Sequence, residues 1–94
     1  MNGLETVEKL SRKYDINMDS FLIISSKLML KEKKRKFQAE RFEILSRYQA
    51  VTIGEVEEKI KNGEIPEHPA WEDLIDLKNI EAEIKEIDRD IQSL

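Results

Sequence analysis

Apolar residues in the first half of this chain recur at intervals of three and four positions, the spacing of α-helices. Leu4, Val7 and Leu10 predict a short first helix from about residue 4 to residue 14. Asn17 has the character of an N-cap, so a second helix is predicted to begin there. No Gly or Pro follows before residue 54, and this helix is therefore predicted to continue for about thirty residues, to Tyr48.

Two further helices are predicted in the second half. Thr52 and Glu55 form the pattern of a capping box, which predicts the start of a short third helix. The pair Asn62-Gly63 is typical of a helix end with a left-handed residue. After an extended stretch, Pro69 is suited to the first position of a last helix, which is predicted to continue to Leu94.

The last helix contains the clearest pattern in the chain, an apolar seam with the alternating three- and four-residue spacing of a coiled coil. The seam residues are Leu77, Ile80, Ile84, Ile87, Ile91 and Leu94. The flanking positions are all acidic: Glu81, Glu83, Asp88 and Asp90. Such a seam disfavours parallel self-pairing and favours a basic partner helix. Residues 27–41 of the same chain are one candidate, in an antiparallel hairpin, and a different protein is the other.

These patterns predict an all-α fold with two short and two long helices, the long ones forming an antiparallel hairpin. Residues 1–94 are expected to form a single domain, and apolar residues 21–30 are expected to bury a core contact or the contact of a helical homodimer. The composition agrees, with 38% charged and 6% aromatic residues, three Gly and two Pro.

Charge divides the chain into a basic and an acidic half. Residues 1–50 contain eleven Lys or Arg against seven Asp or Glu, a net +4, and residues 51–94 contain five against thirteen, a net −8. The basic half includes a cluster formed by Lys31, Lys33, Lys34, Arg35 and Lys36. This cluster could contact phosphates, as in a nucleic-acid-associated transcriptional regulator using residues 27–41, or form a solvated helix face.

Residues suited to catalysis are scarce, and no enzyme activity or cofactor is predicted. The chain has no Cys, no glycine-rich phosphate loop and a single His, His68, which has no second imidazole with which to share a metal. Glu72 and Asp76 are one helical turn apart and could bind a hard cation, although a solvated helix face explains them better. The absence of Cys and of a long apolar stretch leads us to expect a cytoplasmic protein.

Two parts of the chain resemble known families. Residues 4–33, a short helix, the turn 15–20 and a longer apolar helix, resemble the helices of ribbon-helix-helix proteins, although only three residues precede the first helix and leave no room for the strand. Residues 48–94, with the start at Thr52 and the exit at Gly63, resemble the C-terminal part of small prokaryotic antitoxin-type proteins. The second resemblance implies a protein that binds and neutralises a toxin.

We therefore expect a non-enzymatic module that binds another protein through the amphipathic last helix. Trp71, on its first turn, would be the principal anchor, because Trp dominates many interfaces. The residues predicted to bind the partner are Trp71, Leu74, Leu77, Ile80 and Ile84. The nucleic-acid-associated regulator and a self-contained structural homo-oligomer are the alternatives.

Overall fold

The computed structural model describes residues 2–94, and this range contains four α-helices and no strand. They are α1 (Gly3–Lys13), α2 (Met18–Arg47), α3 (Ile53–Lys61) and α4 (Glu67–Gln92). The all-α fold with two short and two long helices is confirmed. None of these helices is both long and apolar enough to cross a membrane, considering residues 2–94.

Local capping chemistry fixes where the helices begin. The side chain of Asn17 accepts a hydrogen bond from the backbone N–H of Ser20 at 2.8 Å, and Thr52 accepts one from Glu55 at 3.2 Å. Glu55 reaches back to the backbone N–H of Val51 at 2.9 Å, one residue earlier than the ideal capping box requires. Both helix starts were therefore predictable from short-range sequence signals.

The first three helices end in the same way, with a residue of positive φ just after the helix. These residues are Asp15 (φ 54°), Gln49 (φ 51°) and Gly63 (φ 71°). In each case the next backbone N–H returns to the last helical turn: that of Ala50, for example, donates to the carbonyl of Leu45 at 3.1 Å. This is the Schellman arrangement, which satisfies carbonyls that the helix leaves unpaired.

The long helices α2 and α4 pack against each other in opposite directions. Lys34 Nζ lies 2.7 Å from Asp88 Oδ1, and Arg41 Nε lies 3.1 Å from Glu81 Oε1. As the residue number rises along α2, that of its partner falls along α4, so the predicted antiparallel hairpin is confirmed. Two of the four acidic residues beside the seam thus pair with the basic helix of the same chain.

The core lies near the closed end of the hairpin, where α3 packs against α4. Its buried side chains are Ile44, Leu45, Val56, Leu74, Leu77 and Ile80. Complete burial of one such side chain stabilises the fold by about 2 kcal/mol relative to exposure. Because α3 contributes Val56 and covers only part of the hairpin, the core is short compared with the molecule, which measures 61 × 24 × 17 Å.

The start of α4 differs slightly from the prediction. The helix begins at Glu67, with Pro66 as its N-cap, but His68 has the extended angles φ −113° and ψ 130°. The peptide bond between His68 and Pro69 is cis. Regular helix therefore continues from Pro69, the residue that the sequence placed at the first position.

Candidate partner-binding surface

The five residues predicted to bind a partner lie in two different environments. Leu74, Leu77 and Ile80 are core residues with exposed fractions of 2%, 0% and 4%. They pack within the chain, and in this fold they are not accessible to a partner. Ile84 is partly buried at the edge of the core, and Trp71 is 52% exposed. The predicted surface is therefore reduced to Trp71, with Ile84 at the edge of the core.

Trp71 borders a cleft between α3 and α4 with a volume of about 250 Å³. Its walls include Ile60 and Lys61 from α3, and Leu74 forms part of its lining from α4. Lys78 and Glu57 cross the cleft as an ion pair at 2.9 Å. The hydrogen bond from Lys78 is the main cause of the lowered pKa of Glu57. The cleft is therefore lined by three apolar side chains, including Trp71, and by three charged ones.

Ile75 extends the exposed apolar surface and was not among the predicted binding residues. It lies one helical turn after Trp71, and its side chain is 47% exposed. Ala82, two turns further along the same face, is also exposed. The sequence signal for this second stripe is the spacing of 71, 75 and 82, which the stronger spacing of the buried seam obscured. We call Trp71, Ile75, Ile60 and Lys61 the Trp71 surface.

An acidic stripe runs along α4 next to the Trp71 surface. Its exposed members, separated by intervals of three, four or seven residues, are Glu72, Asp76, Glu83, Glu86 and Asp90. Glu72 and Glu86 have local partners, in His68 at 3.1 Å and Arg89 at 3.1 Å. Among residues 2–94, Asp76, Glu83 and Asp90 form no ion pair. The stripe therefore carries negative charge that the chain itself leaves uncompensated.

A cluster of polar side chains connects the start of α4 to the end of α2. The hydroxyl of Tyr48 donates a hydrogen bond to Asp73, and Arg47 Nη1 lies 3.5 Å from the same carboxylate. Lys59 Nζ donates to the backbone carbonyl of Tyr48 at 2.7 Å, so α3 joins the cluster. Burial, followed by the hydrogen bond to Asp73, raises the pKa of Tyr48 to about 12. This cluster holds the turn of α4 that carries Trp71.

In the predicted nucleic-acid-binding cluster, Lys31 to Lys36, two of the five basic residues form ion pairs with acidic residues. Lys34 is bound to Asp88 across the hairpin, and Arg35 is bound to Glu32 at 2.7 Å on its own helix. The hydrogen bond from Arg35 is the main cause of the lowered pKa of Glu32. Lys31 and Lys33 are exposed but are two positions apart, and helical residues at that spacing point in different directions. Lys36 is also exposed and lies three positions after Lys33, on the same side of α2, so the exposed lysines are spread over two sides of the helix.

A second exposed aromatic residue, Phe42, was also missed by the sequence analysis. Its side chain is 73% exposed on α2. It borders a wide cleft of about 570 Å³ whose lining includes Arg41, Glu81 and Ile84. Four of its six lining residues are polar, because Gln38 and Lys85 add to the ion pair of Arg41 and Glu81, whereas three of six are polar in the cleft beside Trp71.

Comparisons with known proteins identify the family of this chain. Neither the curated proteins nor the solved structures contain a match to this chain. A family model, described as "Uncharacterized protein MJ0235 family", matches residues 1–94. Because the match extends over the full sequence given, the chain belongs to the Uncharacterized protein MJ0235 family.

Proposed function

We propose that this chain is a non-enzymatic protein-binding module that docks on its partner through the Trp71 surface. The observation that carries the proposal is the 52% exposure of Trp71 beside the cleft between α3 and α4, where Ile60 and Leu74 are its apolar neighbours. Aromatic side chains of this size contribute heavily to binding when a partner removes them from water. Trp71 is therefore the residue on which most of the binding energy should depend.

The apolar neighbours of Trp71 make a surface rather than an isolated contact. Ile75 is 47% exposed one turn away on α4, and Ile60 lies across the cleft on α3. A partner that inserts an apolar side chain beside Trp71 would contact both helices at once. Such a pocketed, apolar centre with a polar rim is the usual composition of a protein interface.

The charge of α4 indicates the chemistry of the partner. Asp76 lies beside the Trp71 surface, and Glu83 and Asp90 follow further along α4. No cation among residues 2–94 pairs with these three carboxylates. A partner protein with an apolar slot bordered by Lys or Arg would complement this arrangement, and opposite charges would also accelerate association. The resemblance to antitoxin-type proteins implies a toxin as such a partner.

The helices that carry the Trp71 surface are already held in place before a partner binds. Tyr48 and Arg47 hold Asp73 on the first turns of α4, and the pair between Lys78 and Glu57 joins α4 to α3. Because these contacts fix the two helices that border the cleft, the entropy lost on binding is mostly that of exposed side chains. This rigidity supports docking without a large change of backbone.

The proposal is tested by quantitative affinity capture from the native extract at low and high salt, followed by binding measurements with the recovered protein. The wild-type chain should retain a stoichiometric partner protein with a basic surface. Trp71→Ala should weaken that binding by about thirtyfold, corresponding to about 2 kcal/mol. Asp76→Lys combined with Glu83→Lys should slow association most strongly at low salt.

Phe42→Ala is the matched control, because it removes another exposed aromatic side chain that lies outside the Trp71 surface. It should leave partner binding unchanged. Recovery of the bait alone, or equal binding by the Trp71→Ala and wild-type chains, would overturn the proposal. Circular dichroism should show that all these variants keep the wild-type helix content.

A further inference from the structure

The hairpin leaves the beginning of α2 without a partner helix. The pairs Lys34–Asp88 and Arg41–Glu81 set a register in which Gln92, the end of α4, comes level with about Leu30. The preceding turns of α2 therefore extend beyond α4. We call residues 18–29 of α2, together with α1, the N-terminal arm.

This arm exposes a dense group of apolar side chains. The large ones on α2 and their exposed fractions are Leu22 (51%), Ile23 (39%), Ile24 (51%), Leu28 (62%) and Met29 (60%). They lie on several sides of the helix, and α1 makes few contacts with it. A helix segment that is apolar on all sides is normally buried in protein. The arm is thus incomplete in a single chain.

The charge of the segment indicates what covers it. Between residues 20 and 30 the only ionisable side chain is Lys27. Two copies of this segment can therefore approach each other without opposing like charges, whereas α4, with its acidic stripe, could not pair with itself in this way. An amphipathic helix that lies on a membrane has a strongly polar face, and this segment has none. The absence of such a face favours protein over a membrane surface.

The area is suitable for an association between two copies. The exposed fractions of the five side chains correspond to on the order of 500 Å² of apolar surface, and a standard interface covers about 800 Å² on each partner. α1 can supply part of the difference, because Leu4 and Leu10 are 61% and 38% exposed. Pairing two arms side by side would combine two copies each of α1 and α2 into a four-helix arrangement.

We propose that the N-terminal arm binds the N-terminal arm of a second copy of this chain, in a two-fold contact centred near Ser25. Ser25 is small and exposed, and Leu22, Leu28 and Met29 lie on the same side of the helix, three or four positions away. A small residue among larger ones lets two helices approach closely. Because the Trp71 surface lies at the other end of α4, the dimer leaves it free for a different partner.

Sedimentation equilibrium over a range of micromolar concentrations tests the oligomeric state. The wild-type chain should have twice the 11.1 kDa mass of one chain, and the variant with Ile24→Asp and Leu28→Asp should have the mass of one chain. Ile75→Asp, an equally exposed site on α4, should remain dimeric. A monomeric wild-type chain, or a dimeric double variant, would overturn the proposal.

Cysteine cross-linking tests the contact itself and does not depend on disrupting it. Because the chain has no Cys, Ser25→Cys introduces a single thiol, which should oxidise rapidly to a disulfide-linked dimer. Ser46→Cys, at an exposed site further along α2, should remain uncross-linked under the same conditions. Equal cross-linking of the two variants would refute the proposed contact.

Vesicles of phosphatidylcholine with phosphatidylglycerol test the membrane as the alternative occupant. The dimer proposal is wrong and the arm binds a membrane if two results are found together. The wild-type chain is monomeric in solution but co-sediments with the vesicles, and this co-sedimentation depends on Ile24 and Leu28. The tests of the dimer can be distinguished from the tests of partner binding. Trp71→Ala should leave the dimer intact, and Ile24→Asp changes a residue outside the Trp71 surface.

Discussion

Lys34 and Asp88, fifty-four positions apart in the sequence, meet with Nζ and Oδ1 at 2.7 Å across the hairpin. The contact joins the basic middle of α2 to the acidic last turns of α4, so the opposite charges of the two halves of the chain meet within one molecule. It also sets how far α2 extends beyond α4. The exposed N-terminal arm is a consequence of this register.

We expect the interaction between Lys34 and Asp88 to contribute to the free energy of unfolding, and reversing the two charges tests this. Lys34→Glu should lower the free energy of unfolding by about 1 kcal/mol, since the partly exposed pair is lost and two carboxylates oppose each other. Adding Asp88→Lys should recover most of the loss. Urea denaturation followed by circular dichroism gives the coupling energy of the double-mutant cycle.

Lys33→Glu is the control for that cycle, because it makes the same change of charge at an exposed neighbour that forms no ion pair among residues 2–94. It should alter the free energy of unfolding by less than about 0.5 kcal/mol. Strictly additive effects of Lys34→Glu and Asp88→Lys would mean that the contact does not contribute to stability.

Gln49→Gly should stabilise the fold. Gln49 is exposed and has φ 51°, in the left-handed region that costs residues with a Cβ about 1 kcal/mol. Glycine removes this cost and retains the backbone hydrogen bonds of the turn, while its greater freedom in the unfolded chain offsets part of the gain. We expect a net increase of about 0.5 kcal/mol in the free energy of unfolding, measured by thermal and urea denaturation.

Gly63→Ala gives the matched test in the opposite direction. Gly63 has φ 71° in an equivalent turn, and an added Cβ would meet no atom within 4 Å, so only the backbone conformation opposes the substitution. It should lower the free energy of unfolding by about 1 kcal/mol. Stability changes of the same sign at both positions would contradict this account of the turns.

The stability contributed by Tyr48 should decline in alkaline solution. Its pKa is raised to about 12 in the folded chain, so this contribution is fully present below the unfolded value of about 10 and is lost as the pH rises through 12. Tyr48→Phe removes the hydrogen bond to Asp73 and should cost about 1 kcal/mol at neutral pH. The difference in unfolding free energy between the two chains should narrow from pH 10 upwards.

Tyr14→Phe serves as the control for this measurement. Tyr14 is 62% exposed at the corresponding end of α1, and Tyr14→Phe should change the free energy of unfolding by less than about 0.5 kcal/mol. A constant difference between the wild-type and Tyr48→Phe chains across this pH range would show that ionisation of Tyr48 is not linked to folding.

The candidate surface was predictable only in part. Trp71 stood out in the sequence because a large aromatic residue on the first turn of a helix is a natural interface anchor. Ile75 did not, because the pattern of the buried seam from Leu77 to Leu94 dominates the same helix. Leu74, Leu77 and Ile80 were predicted to bind a partner, and the structure places them in the core.

The sequence by itself determined the local structure of this protein. Asn17 and Thr52 begin helices, and Gly63 follows the end of one, through hydrogen bonds that span only a few residues, so the signals are complete within a short stretch of chain. The helical spacing of apolar residues likewise requires no knowledge of the rest of the molecule.

Only the tertiary structure decided which apolar residues remain in contact with water. Leu28 and Leu77 are the same residue type on long helices, yet one is 62% exposed and the other completely buried. The difference comes from where α3 and α4 lie along α2, which depends on contacts such as that between Lys34 and Asp88. Whether an apolar residue is buried therefore depends on the register between distant segments, and a local sequence pattern does not predict it.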